Sequence, residues 1–365
     1  SPLRMLRPVI TVPAALTLAI ALLVVTATPA EAFDPFDTQA TIRTGACTPR
    51  QPAGALGLAE VVDLALCNNP QTREAWASAR VQAGLVGVAQ APYLPAINGN
   101  VGSSRNRTRV EDLPETKRTL NSASLAISWL LYDFGAREAT LESARELLAA
   151  AVSTQDSTAQ SVFLAALQAF FQVHAFEAAL NAAELSEKAA QESLAAAEAR
   201  YRAGNATPAD RLQAQTARSQ ATLTRIRVAG ELRTAHGTLA NAIGLDANRP
   251  LELRPLGAVT APPDFDRNVK ALIAEARQRR PDLAAAEAQL RAARASVDAT
   301  KAAHLPSISL GATPSWQDNG GLTTNASSIG VSVSIPLFSG FGQTYKVRTA
   351  EAQAIIKNAA VGIII

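Results

Sequence analysis

The segment between Gly135 and Gly204 contains 68 consecutive residues without a glycine or a proline. A helix of this length extends about 100 Å at ~1.5 Å per residue, far more than a globular domain needs. Its apolar residues recur in steps of three and four, which is the spacing of helices that pack as coiled coils. The sequence therefore predicts one very long helix whose apolar stripe must be covered by other helices.

Two shorter segments also carry apolar residues at helical spacing: residues 58–91, which Pro70 interrupts, and residues 208–243. They contain 34 and 36 residues, so together they nearly equal the long segment. We therefore expect them to lie end to end along the long helix. The alanine-rich composition, with only 5% aromatic residues, suits closely packed helices better than a large globular core.

The same arrangement of prolines occurs twice in the chain. Pro70 and Pro95 are 25 residues apart, as are Pro281 and Pro306, and the two copies are offset by 211 positions. In each copy a helical segment is followed by an extended segment, a polar loop and a second extended segment. The sequence predicts an irregular segment at 33–55, a first repeat at 56–255 and a second repeat at 256–365. We expect the second repeat to be truncated, because it stops about 23 residues into its last helix.

The second extended segment of each copy alternates apolar and polar residues, as a strand with one apolar and one polar face does. We expect the apolar face to contact lipid through Leu125, Ile127, Trp129, Leu131, Val331, Val333, Ile335 and Leu337. Four strands cannot close a barrel, so several chains would have to contribute. Two chains would give eight strands, and three would give twelve strands around a lumen. The alternative is a small soluble sheet covered by the helices.

The N-terminal residues 1–32 have a basic start, an apolar centre and an A-x-A end, which predicts a signal peptide cleaved between Ala32 and Phe33. An uncleaved membrane anchor is the alternative, and export follows in either case. No other apolar run is expected to cross a membrane as a helix. In an oxidising compartment Cys47 and Cys67 could form a disulfide, or they could remain two separate thiols.

The turn after the long segment has strong helix-ending and helix-starting signals. Gly204 suits the left-handed conformation that ends a helix, Thr207 is a predicted N-cap, and Asp210 lies three residues after it. These residues predict a well-capped helical hairpin, with Tyr201 in the last turn of its first helix.

No residue pattern points to catalysis, a metal site or a cofactor. The three histidines are predicted to lie on separate helices without ligand spacing, and a net charge of +3 is too small to indicate nucleic-acid binding. A basic cluster is predicted in the loop between the first two strands, as a solvated outer loop or as a contact with anionic lipopolysaccharide; it consists of Arg105, Arg107, Arg109, Lys117 and Arg118.

The order of these motifs resembles the TolC family of outer membrane efflux proteins. The motifs are the signal peptide, the 65–70 and 92–95 segments, the strand ends at 131–135 and 336–340, and the turn at 200–210. The resemblance implies a mainly α fold with a small β part: a homotrimer with a twelve-stranded outer-membrane barrel, four strands per chain, above a helical tunnel in the periplasm. It also implies that a periplasmic adaptor docks at the turn containing Tyr201, Gly204, Thr207 and Asp210.

Within the family, the chain looks most similar to the export component for a secreted adenylate cyclase–haemolysin toxin. That resemblance implies a type I secretion duct that works with an inner-membrane ABC transporter, a periplasmic adaptor and the toxin as transported substrate. Two other functions stay open at this point. One is the outer membrane channel of a small-molecule efflux pump, and the other is a periplasmic coiled-coil adaptor without a barrel.

Overall fold

The computed structural model describes residues 34–40, 42, 48–52, 54–109, 114–249, 251–257 and 269–364. The predicted signal peptide, its cleavage site at Ala32 and Phe33, and Cys47 lie outside the described residues. Cys67 is buried in the first helix. A disulfide between Cys47 and Cys67 therefore stays a prediction.

Proline 70 divides the first helical segment as predicted. Helix α1 spans Leu58–Asn68, and α2 spans Pro70–Gln90. Between them, the Asn69 side chain accepts a hydrogen bond from the backbone N–H of Gln71 at 2.9 Å. A proline in the first helical position lacks only an N–H that would be unpaired there anyway, so Pro70 starts a helix without cost.

The long uninterrupted segment is a single helix, α3, spanning Ala136–Arg202, and it is followed by α4, spanning Pro208–Ala242. Helices α1, α2 and α4 all pack against α3, which confirms the predicted end-to-end arrangement. The main core lies where α1, α3 and α4 meet, and its largest fully buried side chains are those of Val61, Val162, Phe170, Val173, Leu239 and Ile243.

The second copy begins with α5, spanning Val269–Arg279, and α6, spanning Pro281–Ala302, and ends with α7, spanning Gly342–Ile364. Helix α6 packs against both α3 and α7. Among the described residues, α3 is long and apolar enough to span a membrane by length and composition alone, contrary to the expectation that no later apolar run is long enough.

The four strands form one antiparallel sheet in the order β1-β2-β3-β4. Their bounds are Ala96–Thr108 for β1, Thr116–Tyr132 for β2, Ser307–Asp318 for β3 and Thr323–Ser334 for β4. Within the described residues, each of the outer strands, β1 and β4, has one unpaired edge. The helices join the sheet at one end of the strands, so the β1–β2 and β3–β4 connections lie at the other end.

Three predicted strand residues are placed differently by the structure. The pairing of β2 with β3 shifts between Leu130 and Tyr132, so Leu131 is the extra residue of a bulge and Tyr132 lies opposite Ile308. In the second copy, β4 ends at Ser334, and Ile335 and Leu337 lie just beyond it. Pro336 has no N–H to continue the ladder, which explains why the strand stops there.

The position predicted for the basic cluster is also corrected. Four of its five members lie within strands rather than in the loop: Arg105 and Arg107 belong to β1, and Lys117 and Arg118 belong to β2. Strand pairing continues this far because the two strands stay in register up to Thr108 and Thr116.

Candidate functional site

The turn between α3 and α4, which we call the tip, lies at the far end of the molecule from the sheet. Three residues separate β2 from helix α3, and the 67 residues of α3 put the tip about 100 Å from the strands. Gly204 closes the helix with a φ of 75°. Its N–H donates to the carbonyl of Tyr201 at 3.0 Å, and the N–H of Asn205 donates to the carbonyl of Arg200 at 2.9 Å. This is the hydrogen-bond pattern of a helix that ends on a left-handed glycine.

The start of α4 is fixed by a reciprocal capping box. The N–H of Asp210 donates to the Thr207 hydroxyl at 3.3 Å, and the N–H of Thr207 donates to the Asp210 carboxylate at 2.9 Å. The Thr207 hydroxyl also donates to that carboxylate at 2.7 Å. Hydrogen bonds from the side chain and then the backbone of Thr207 hold the pKa of Asp210 below its ordinary value.

The tip contains one contact that the sequence did not reveal. The guanidinium of Arg211 lies over the ring of Tyr201, 4.8 Å from its centroid. The two residues are ten positions apart across the turn, so helical spacing gives no signal for the pair. A Cβ added at Gly204 would meet no atom within 4 Å. Gly204, Thr207 and Asp210 are exposed, and Tyr201 is partly buried.

A second contact missed by sequence reasoning joins α3 to α4 between the tip and the core. The Glu187 carboxylate accepts hydrogen bonds from the Thr222 hydroxyl at 2.6 Å and from Nε of Arg225 at 2.5 Å. These bonds, the one from Thr222 foremost, lower the pKa of Glu187. Helices α3 and α4 are therefore held together by side-chain bonds between the core and the tip.

At the other end of α3, Arg137 connects the helix to the sheet. Its backbone N–H and its Nε both donate to the Asp133 carboxylate, at 2.9 and 3.1 Å. The rest of the guanidinium donates to the carbonyls of Pro92, Leu130 and Leu131 at 2.7–3.1 Å. The Arg137 and Asp133 side chains are only 14% and 11% exposed. One cation therefore satisfies backbone carbonyls of β2 and of the segment that precedes β1.

Aromatic residues complete this junction. Arg137 lies 4.8 Å from the ring centroid of Tyr93, and the indole N–H of Trp129 donates to the carbonyl of Tyr93 at 3.0 Å. Phe134 and Gly135 both have positive φ angles, of 55° and 94°. The chain thus turns sharply from strand to helix, and the sequence had indicated only that the strand ends there.

The two faces of the sheet differ strongly in polarity. Register pairs place one mostly apolar set on a common face: Ile97, Val101, Ala123, Leu125, Ile127, Trp129, Ile308, Leu310, Ala312, Trp316, Ile329, Val331 and Val333. The other face is lined by small polar and glycine residues, including Asn98, Asn100, Gly102, Ser122, Ser124, Ser128, Ser309, Gly311, Ser328, Gly330 and Ser332. Apolar side chains such as Val101 and Ile329 are 77% and 79% exposed, so the described part of the chain leaves this face uncovered.

The comparison with protein families decides what these parts belong to. The sequence profile described as "Outer membrane efflux protein" matches residues 61–245 and 272–361, which include both copies of the repeat. The chain belongs to the outer membrane efflux protein family. Its location is the outer membrane. This agrees with the resemblance that the motifs indicated.

Individual relatives agree with this membership. Protein CyaE of Bordetella pertussis is 32% identical over 303 residues, which cover 82% of this chain and 64% of that protein. The pyoverdine export outer membrane protein OpmQ of Pseudomonas putida is 29% identical over 265 residues, covering 70% of this chain and 55% of that protein. The chain thus spans less than two thirds of the length of either relative.

A solved structure shows the same fold. The Campylobacter jejuni CmeC outer membrane channel superposes with a TM-score of 0.75 at 18% identity, covering 84% of this chain and 67% of that chain. The mainly helical fold with a four-stranded antiparallel sheet is therefore the fold of this family, as predicted.

Proposed function

We propose that this chain is the protomer of a trimeric outer-membrane exit duct. The observation that carries the proposal is the sheet, which has an apolar face, a polar face and two unpaired edges. An open edge in lipid leaves backbone N–H and C=O groups without partners, so β1 and β4 must pair with other chains. Three chains supply twelve strands, which close around a lumen lined by the serine-rich face.

The strand lengths suit this arrangement. The strands contain between 12 and 17 residues, whereas a tilted strand needs about 9–11 to cross the hydrocarbon core. The apolar face then contacts lipid through Leu125, Ile127, Trp129, Val331 and Val333. Leu131 in the bulge of β2, and Ile335 and Leu337 beyond the end of β4, lie at the helix-side end of the same band.

The tip is the proposed docking site for a periplasmic adaptor. It is exposed, rigidly capped and about 100 Å from the sheet, so it is the part of this chain that a partner on the inner membrane side reaches first. Tyr201, Gly204, Thr207 and Asp210 present the surface. The open space around Gly204 suits a partner helix that approaches the backbone closely.

The proposed cargo is a protein toxin of the adenylate cyclase–haemolysin type. The 32% identity to CyaE favours type I secretion, in which an inner-membrane ABC transporter and the adaptor feed the duct. The second candidate is export of small molecules, which the similarity to the pyoverdine export protein OpmQ supports. Family membership and the amphipathic sheet disfavour a periplasmic adaptor without a barrel.

Deleting the gene and restoring it on a plasmid would distinguish the two cargo classes. For a toxin duct, we expect the deletion to abolish secreted haemolytic activity and leave dye and drug sensitivity unchanged. Increased sensitivity to dyes or drugs with normal toxin secretion would instead support small-molecule efflux.

The docking role of the tip is tested by comparing Gly204→Trp with Gly204→Ala. Both variants carry the cost of a left-handed non-glycine residue, about 1–2 kcal/mol, and the Cβ that either one adds has no atom within 4 Å. Only the tryptophan adds bulk to the exposed surface. We expect Gly204→Trp to reduce export at least tenfold while Gly204→Ala retains most of it, with equal amounts of assembled protein in the outer membrane. Equal export by the two variants would contradict docking at this position.

A further inference from the structure

The β1–β2 hairpin extends beyond the apolar band and carries cations on the same side. Arg105 lies opposite Thr119, and Arg107 lies opposite Lys117. The same register places Ile97 opposite Ile127 at the end of the strands nearer the helices. Because side chains alternate along a strand, Arg105, Arg107 and Lys117 share the face of Ile97 and Val101. We call these three residues the basic face. Arg118, although adjacent in sequence, is on the opposite, serine-rich face.

The basic face lies beyond the predicted outer edge of the hydrocarbon. Val101 pairs with Ala123, which pairs with Trp316, so a tryptophan marks this level of the apolar face. Tryptophans are enriched where outer-membrane barrels leave the hydrocarbon. Arg105 and Arg107 are four and six residues further along β1, about 13 and 20 Å at ~3.3 Å per residue. Strand tilt brings them closer to the bilayer than these distances suggest.

Charge on this surface is only partly neutralised within the chain. Glu115 forms ion pairs with Arg107, with Lys117 at 3.4 Å and with Arg109 at 3.9 Å. Within the described residues Arg105 makes no ion pair or hydrogen bond with another side chain. The Arg107 and Lys117 side chains stay 66% and 57% exposed despite their shared partner. Glu111 and Asp112 lie outside the described residues.

We propose that the basic face binds the phosphate groups of lipopolysaccharide in the outer leaflet. The helices join the sheet at its periplasmic end, so the β1–β2 connection is at the outer surface, where lipopolysaccharide is the anionic lipid. Arginine donates in a fork that matches phosphate oxygens, and its long apolar stem can follow the lipid-facing surface. This inference rests on the outer-membrane location and on the outward orientation of the apolar face, and it does not depend on the cargo.

The test compares the triple variant Arg105→Gln/Arg107→Gln/Lys117→Gln with Arg118→Gln, using the detergent-purified full chain and fluorescently labelled lipopolysaccharide. Each cation near an anionic lipid surface contributes enough for about a fivefold change in affinity. We expect the triple variant to bind at least about tenfold more weakly and Arg118→Gln to stay within about twofold of the parent. An equal loss in both, or no loss in the triple variant, would overturn the proposal.

Further measurements separate the phosphate contact from other causes. The single variant Arg105→Gln breaks no ion pair within the described residues, so it keeps the test valid if the triple variant fails to assemble. We expect it to bind lipopolysaccharide about three- to fivefold more weakly than the parent. Lipopolysaccharide stripped of its phosphates and phosphatidylcholine vesicles should both bind the parent weakly. Inorganic phosphate at millimolar concentration should compete poorly, because a free ion lacks the lipid contact. Tight binding to the dephosphorylated lipid would contradict the proposal.

This test can fail independently of the duct proposal. If the basic face only contacts solvent, the triple variant should still reach the outer membrane and export cargo like the parent, with unchanged lipid binding. If the chain does not reach the outer membrane at all, the parent itself fails in fractionation, and that outcome concerns the proposed duct.

Discussion

At the scale of single residues, the tip depends on a few hydrogen bonds that do not involve the core. Gly204 closes α3, and Thr207 with Asp210 opens α4. Sequence was sufficient to predict all three, because helix caps are local and involve residues three positions apart or a required backbone conformation. The Tyr201–Arg211 contact was not predictable, since it depends on how the two helices face each other across the turn.

The capping box should make the order of the tip depend on pH. The pKa of Asp210 is below its ordinary value of 3.8. Its contribution to the stability of the turn is therefore complete above pH 3.8 and is lost as the pH falls through the lower pKa of the folded state. A spin label at Ala203 should therefore become more mobile as the pH is lowered from about 5 to well below 3.8. Asp210→Asn should remove this pH dependence. An equal change of label mobility with pH in the parent and in Asp210→Asn would contradict the role of the Asp210 carboxylate.

Removing the cap hydroxyl should destabilise the same turn at neutral pH. Thr207→Ala deletes the acceptor for the N–H of Asp210, and loss of such a cap costs about 1 kcal/mol. Hydrogen exchange of the amides at the start of α4 should speed up roughly fivefold, while amides near Leu239 stay unchanged. Thr224→Ala serves as the control, because its hydroxyl only bonds the Gln220 carbonyl within the helix.

Leucines on α4 offer a matched test of the core. Leu239 is fully buried, whereas Leu212 is 54% exposed. We expect Leu239→Ala to lower the free energy of unfolding by about 2–5 kcal/mol and Leu212→Ala by less than about 1 kcal/mol, because only the first leaves a cavity. Urea unfolding of the detergent-purified chain followed by circular dichroism measures both. Equal losses would contradict the position of the core.

At the scale of whole elements, the prolines and glycines defined nearly every helix end. Pro70, Pro208 and Pro281 each begin a helix, and Gly204 follows the end of α3. These residues act through fixed or unusual φ angles, which is why sequence alone is sufficient. Strand ends were harder to predict. The β1–β2 ladder continues through Arg105 and Arg107, where alternation between apolar and polar residues has already stopped, so the periodicity gives no signal there.

The strand-to-helix junction is the element whose role the sequence concealed. Arg137 bonds mostly to backbone carbonyls, and carbonyls have no residue identity that a sequence pattern could reveal. The second copy also differs at this position. There Gln343, which like Arg137 is the second residue of its helix, donates to the carbonyl of Thr300 instead. The repeat thus preserves the turn but not the interactions that hold it.

Arg137→Ala should weaken the connection between sheet and helices. The change leaves the largely buried Asp133 carboxylate without its cation, which costs about 3–5 kcal/mol in comparable buried pairs and less here because of residual exposure. We expect the assembled protein to lose heat resistance on semi-native gels, with a midpoint lowered by several degrees. Arg145→Ala, at an exposed position on the same helix, should leave the midpoint unchanged. An equal effect of both variants would contradict the role of Arg137.

At the scale of the whole molecule, the chain is incomplete in a specific physical sense. Its helices bury a core of their own, but its sheet has two open edges and an uncovered apolar face. The helical part therefore needs no partner for its core, whereas the sheet can be satisfied only by other chains and by lipid. The mainly α fold with a four-stranded amphipathic sheet could be predicted from sequence, because periodicity records which faces avoid water.

The most direct test of the account is the number of chains in the membrane-extracted assembly. The protein is extracted from the outer-membrane fraction in a mild detergent, and the mass of the intact assembly is measured by native mass spectrometry. We predict a single species containing three copies of the chain, because three are needed to close twelve strands around a lumen. A monomer with an intact sheet, or a chain found only in the soluble periplasmic fraction, would contradict the account.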